Sequence, residues 1–74
     1  MKQVLKVKDI GKIIRKVRRS QGLTQEQLAA FCGCGRRFII ELENGKPGCH
    51  FGKIIQVLSA LGIELHAANR KGDI

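Results

Sequence analysis

Residues 23–46 read LTQEQLAAFCGCGRRFIIELENGK, and the punctuation of this stretch organises everything around it. Thr24 is followed three residues later by Gln27, the capping-box spacing that starts a helix. Leu28, Phe31 and Cys32 recur at helical spacing and are expected to face inward. Gly33 stops this helix. Only Cys34 separates it from Gly35, after which RRFIIELENG reads as a second helix with Ile39 and Leu42 inward and Asn44-Gly45 closing it. The expectation is two short helices joined by a tight glycine-containing turn of about four residues.

Working outward, Asp9 is the expected N-cap of a preceding helix. Its apolar residues Ile10, Ile13, Ile14 and Val17 share one face, while Lys12, Lys16 and Arg19 fall elsewhere. Gly22 ends that helix. After the central stretch, Lys46-Pro47-Gly48 makes a loop. CHFGKIIQVLSAL then gives a fourth helix, with Phe51, Ile54, Ile55, Leu58 and Leu61 as its apolar stripe and Gly62 as its stop. Residues 63–68 alternate, with Ile63, Leu65 and Ala67 on one side and Glu64, His66 and Ala68 on the other. One strand on a helical domain has no partner in its own chain, and its unpaired edge invites a second copy. Ile63, Glu64, Leu65, His66 and Ala67 are therefore expected to pair across a two-fold dimer; the alternative is a frayed tail. Residues 2–8 form an arm or a short strand, and residues 69–74 a disordered tail. The whole is one domain with its core over residues 9–62: all-α, four helices, with a C-terminal β-strand.

At 74 residues the chain can build one compact core and no more. Its net charge of +8 is uneven: residues 1–20 hold eight Lys and Arg against the single acid Asp9. Such a footprint suits a polyanion, either nucleic acid or an anionic membrane surface, although a solvated basic face is the plain alternative. Membrane-surface binding needs an exposed apolar helix face, whereas Ile10, Ile13, Ile14 and Val17 are wanted by the core. No apolar run is long enough to span a bilayer. Three cysteines and a charged N-terminus point to free thiols and a cytoplasmic setting.

Cys32, Cys34, Cys49 and His50 are the candidate metal ligands, but a one-residue gap between cysteines is poor for tetrahedral closure. A disulfide across the same gap would strain the turn. GKPGCHFGKI lacks the spacing and the Ser or Thr after lysine that a phosphate loop needs. His50 and His66 stand apart from any nucleophile. No enzyme activity, metal or cofactor is expected.

Helix, tight turn, helix is the arrangement in which one helix crosses the DNA backbone while the next enters the major groove. The central stretch resembles the helix-turn-helix of the phage-repressor/Cro (XRE) family at Thr24-Gln25-Glu26, Leu28-Ala29, Gly33, Ile39 and Glu43-Asn44-Gly45-Lys46. The resemblance covers about residues 9–62 and implies a compact lambda-repressor-like fold. The short chain, GKIIQVLSALGIEL and the terminal strand are similar to HipB-type antitoxins within it. It implies that Gln25 touches the phosphate backbone and steadies the third helix, and that Asn44 and Lys46 also meet the backbone. Gly35, Arg36 and Arg37 open the helix whose first side chains reach base edges. Arg36 and Arg37 are each suited to donating two hydrogen bonds to guanine. Glu41, four residues after Arg37, either holds that guanidinium or accepts from cytosine. Phe38 touches a thymine methyl or packs under the turn, and Ile40 faces DNA or solvent. Arg18 and Glu43 match positions that form a structural ion pair. Cys32 and Cys34 occupy slots where the family places apolar residues. The implied protein is a homodimeric DNA-binding repressor on a palindromic double-stranded operator. It would also be an antitoxin that holds a HipA-like kinase toxin, or a stand-alone regulator with no toxin partner.

Overall fold

The computed structural model describes residues 7–65. Four helices follow one another: α1 (Val7–Ser20), α2 (Gln25–Cys32), α3 (Arg36–Glu43) and α4 (Phe51–Ala60). Thr24 caps α2 as the sequence indicates. Its Oγ accepts from the Gln27 N–H at 3.0 Å, while its own N–H donates to Gln27 Oε1 at 2.8 Å. Gly33 ends α2 in the left-handed region, with φ 66°, where a side chain would be strained. The connection to α3 is Gly33, Cys34 and Gly35, one residue shorter than expected. His50 caps α4 by accepting the Lys53 N–H on Nδ1 at 3.3 Å.

The core is Ile14, Leu28, Ala29, Ile39, Leu42, Ile54, Val57, Leu58 and Leu61. α3 lies between α1 and α2, with Ile39 and Leu42 fully buried, and α4 packs on α2. Gln21 Nε2 donates to the Leu61 carbonyl at 2.9 Å, tying the end of α1 to the end of α4. No helix among the described residues is long and apolar enough to cross a membrane.

Four of the residues expected in the core are instead exposed: Ile13, Phe31, Phe51 and Ile55. The reason is the same in each helix. The buried residues of α1 are Gly11, Ile14 and Arg18, so the inward arc is turned toward a glycine and an arginine that hydropathy does not mark. In α2 the inward pair is Leu28 and Ala29, so the buried arc is centred between them and Phe31, about 110° round the helix, is 72% exposed. In α4 the inward run is Ile54, Val57, Leu58 and Leu61, at spacings of three, one and three. Asp9 is not a cap; it sits inside the first turn of α1, where a carboxylate favours the helix dipole. Ile63, Glu64 and Leu65 take no regular element, as a strand is defined only by its partner, and His66, Ala67 and Ala68 lie outside the described residues.

Gly11 sets how near α1 comes to α3. A Cβ there would collide with the Leu42 carbonyl oxygen and lie 3.0 Å from that of Glu43. In an open helix Gly→Ala gains about 1 kcal/mol from propensity. Here backbone would have to move, at a cost of about 1–3 kcal/mol. Gly11→Ala is therefore expected to lower the melting temperature by several degrees; a rise would contradict the close crossing.

Candidate nucleic-acid interface

Arg18 and Glu43 meet at the junction of α1, α2 and α3. Arg18 Nε donates to Glu43 Oε2 at 2.6 Å and its Nη2 to Oε1 at 3.1 Å, the two-pronged geometry that suits a guanidinium and a carboxylate. Its third nitrogen, Nη1, donates to the Leu23 carbonyl at 2.8 Å in the α1–α2 turn. Gln25, at the first position of α2, donates from Nε2 to Glu43 Oε1 at 3.1 Å. Arg15 Nε approaches the same oxygen at 3.6 Å. Arg18 and Glu43 are both buried. Burial alone pushes the Glu43 carboxyl up, but the hydrogen bonds from Arg18 and Gln25 and the charges of Arg18 and Arg15 outweigh it and hold its pKa below the ordinary value.

This junction sets the pose of α3. Gly35 precedes the helix in extended backbone and contributes no side-chain cap. A Cβ at Gly35 would meet nothing within 4 Å, so the fold itself does not require glycine there. Arg36 and Arg37 follow in the first turn, both exposed. Arg37 Nε donates to Glu41 Oε2 at 3.2 Å, although the Arg37 side chain remains 89% exposed. Lys46 Nζ donates to the same oxygen at 3.2 Å. These hydrogen bonds, Lys46's being the larger influence, lower the Glu41 pKa. Asn44 ends α3 as its exposed C-cap, Gly45 follows with φ 75°, and the Lys46 N–H returns to the Glu41 carbonyl at 3.0 Å.

Phe38 is half-buried against the core, and Lys53 Nζ stands 5.7 Å from its ring centroid, a cation–π distance. Ile40 is half-buried. Thus Gln25, Gly35, Arg36, Arg37, Phe38, Ile40, Glu41, Asn44 and Lys46 all lie on α3, its two ends or the adjoining start of α2. The sequence reading missed Lys53, which the α4 cap brings over Phe38, and Arg15. The signal for Arg15 was its place three residues before Arg18 on the side that faces α3.

Cys32, Cys34 and Cys49 are free thiols, half-buried against the core. Burial, then the neighbouring Cys34, raises the Cys32 pKa. Among the described residues no three His, Cys, Asp or Glu side chains come together as a possible metal-ligand group.

The family model described as Helix-turn-helix matches residues 14–67. The HTH-type transcriptional regulator y4mF of Sinorhizobium fredii is 49% identical over 57 residues, 77% of this chain and 75% of that one. Among solved structures, a chain of the HipA-HipB-O2-O3 complex superposes with a TM-score of 0.81 at 18% identity, over 95% of this chain and 99% of that chain. The restriction-modification controller protein C.AhdI of Aeromonas hydrophila superposes with a TM-score of 0.70 at 31% identity, over 78% of this chain and 88% of its own.

The buried pair makes two linked predictions about stability. Breaking it by Arg18→Met or Glu43→Leu alone is expected to cost about 3–5 kcal/mol, because one charge is left buried; the double replacement should recover most of that. Because the folded Glu43 pKa lies below its unfolded value of about 4.3, its contribution is present above that pH and is lost as pH falls through the folded pKa. Thermal melts from pH 7 to pH 2 should show this acid-side decline in the wild type and a shallower one in the double variant. Equal slopes would dismiss the pair as the source.

Proposed function

The chain belongs to the helix-turn-helix family matched over residues 14–67, a non-enzymatic family of DNA-binding transcriptional regulators, and from that premise we propose that it is a sequence-specific repressor that binds a palindromic operator as a two-fold dimer. The observation that carries this reading is the placement of Arg36 and Arg37. They stand exposed in the first turn of α3, on a helix whose pose is held by the buried Arg18–Glu43 bond. In this reading Arg36 and Arg37 donate to guanine O6 and N7 in the major groove. Glu41 orients Arg37, and the outward parts of Phe38 and Ile40 meet thymine methyls. Gln25, Gly35, Asn44 and Lys46 sit on the phosphate backbone and set the register. Residues 63–67 pair across the dimer and space the two recognition helices about one helical turn apart. Repression follows from occupying the promoter.

Selection from a randomised duplex library tests this. It is expected to return an inverted repeat with G·C pairs in each half-site, occupied by two chains. Arg36→Ala or Arg37→Ala should then lose about 1–3 kcal/mol of discrimination at one position, whereas Gln25→Ala should weaken binding to all sequences alike. Equal losses on selected and random DNA for the arginine variants would remove them from base reading.

For the biological setting we propose an antitoxin of a HipBA-like module, supported by the fold shared with a chain of the HipA-HipB-O2-O3 complex. The partner would be a HipA-like Ser/Thr kinase toxin, and the module would regulate its own operon. A stand-alone regulator is the second reading, favoured by the 31% identity to a controller protein. The neighbouring open reading frame separates them: co-purification of this chain with an adjacent kinase-sized product supports the antitoxin, and failure to co-purify leaves the stand-alone regulator.

A further inference from the structure

One flank of α1 carries a charge pattern that the roles above use only at Arg15. Lys8, Lys12, Arg15 and Arg19 recur at spacings of four, three and four along α1. At 3.6 residues per turn this places all four within an arc of about 60°, in a row about 16 Å long. All four residues are exposed. Lys16 is exposed too, but it lies about 70° to one side of the row.

Contacts with α3 and α2 locate the row. Lys8 packs on the exit from α3: a Cβ on Gly45 would stand 2.7 Å from its Cα. Arg15 reaches Glu43 Oε1 at 3.6 Å, the oxygen that also accepts from Gln25 at 3.1 Å. The row therefore starts beside Asn44, Gly45 and Lys46 and passes the entrance of α2 at Gln25. These are the two places assigned above to the phosphate backbone. The charge balance along the row favours an anion. Glu43 is one carboxylate shared by two guanidiniums, and Arg18 already holds both of its oxygens. Cations stacked at i,i+4, as Lys8 and Lys12 or Arg15 and Arg19 are, repel one another and weaken a helix. A face kept only for solubility has no need of that alignment.

We infer that Lys8, Lys12, Arg15 and Arg19 form a second phosphate track, which takes the sugar-phosphate backbone of duplex DNA along α1 between Lys46 and Gln25. It adds affinity without reading bases, and it rests on the DNA-binding reading above.

Salt-dependent binding to a random-sequence duplex and to the library-selected duplex tests the track. Each lost phosphate contact lowers the slope of log affinity against log salt by about 0.9. Lys8→Gln, Lys12→Gln and Arg19→Gln together should therefore remove about 40-fold of the affinity that the wild type loses between 50 and 200 mM salt, at about 3.5-fold per contact. Arg15→Gln alone should remove about one contact's share, and Lys16→Gln close to none. Base preference should be unchanged in the triple variant and in Lys16→Gln, and circular dichroism melts should show the triple variant folded. A folded triple variant with the wild-type slope, or a Lys16→Gln loss equal to that of a row residue, overturns the track while leaving operator binding intact. A wild type that binds neither duplex overturns both.

Discussion

The bond between Arg18 and Glu43 is the constraint on which the rest of this small domain turns. Two opposite charges are buried together at the meeting point of three helices, and neither could be left there alone without a cost of several kcal/mol. Every donor around them is directed. Arg18 serves Glu43 with two nitrogens and the Leu23 carbonyl with the third, while Gln25 completes the carboxylate. Apolar packing of Ile14, Leu28, Ile39 and Leu42 holds the helices together, but it is tolerant of small rotations. Hydrogen bonds with fixed donors are not, so the pair fixes the angle and height of α3 against α1 and α2.

That pose has consequences at both ends of α3. At its start, the short Gly33-Cys34-Gly35 connection brings Arg36 and Arg37 out at the surface immediately after α2. At its end, Asn44, Gly45 and Lys46 turn back toward the first turn of α1, where Gly45 meets Lys8. Gln25 belongs to both systems: it bonds to the buried carboxylate and stands at the start of α2, next to the proposed phosphate path. The core and the proposed interface are thus joined through Gln25, as they are through Arg15, which reaches the same carboxylate oxygen. Stability and DNA binding are expected to be coupled at Gln25 and separable at Arg36.

Much of this was legible along the chain because it is local. Thr24 and Gln27 form a capping box within four residues, and Gly22, Gly33, Gly45 and Gly62 mark ends by accepting positive φ that other residues resist. The expectation of Arg18 facing Glu43 came from family resemblance rather than from spacing, since the two residues lie 25 positions apart. The inward faces of the helices were less legible. Hydropathy chose Phe31 over Ala29 and Ile13 over Gly11, since it scores the size of an apolar side chain and not the room available to it.

By itself, then, the sequence determined the four helices, the capping box at Thr24, the glycine stops and the identity of the two arginines that follow the tight turn, because these depend on neighbours within a turn or two. Tertiary structure alone decided that Gly11, Arg18 and Ala29 turn inward while Ile13, Phe31, Phe51 and Ile55 stay exposed, that Arg15 shares the Glu43 carboxylate, and that Lys53 stands over Phe38. It also laid the basic row of α1 alongside the two proposed backbone contacts. These are distances between segments far apart in the chain, set by how closely a glycine lets two helices approach and by where a buried carboxylate finds its donors.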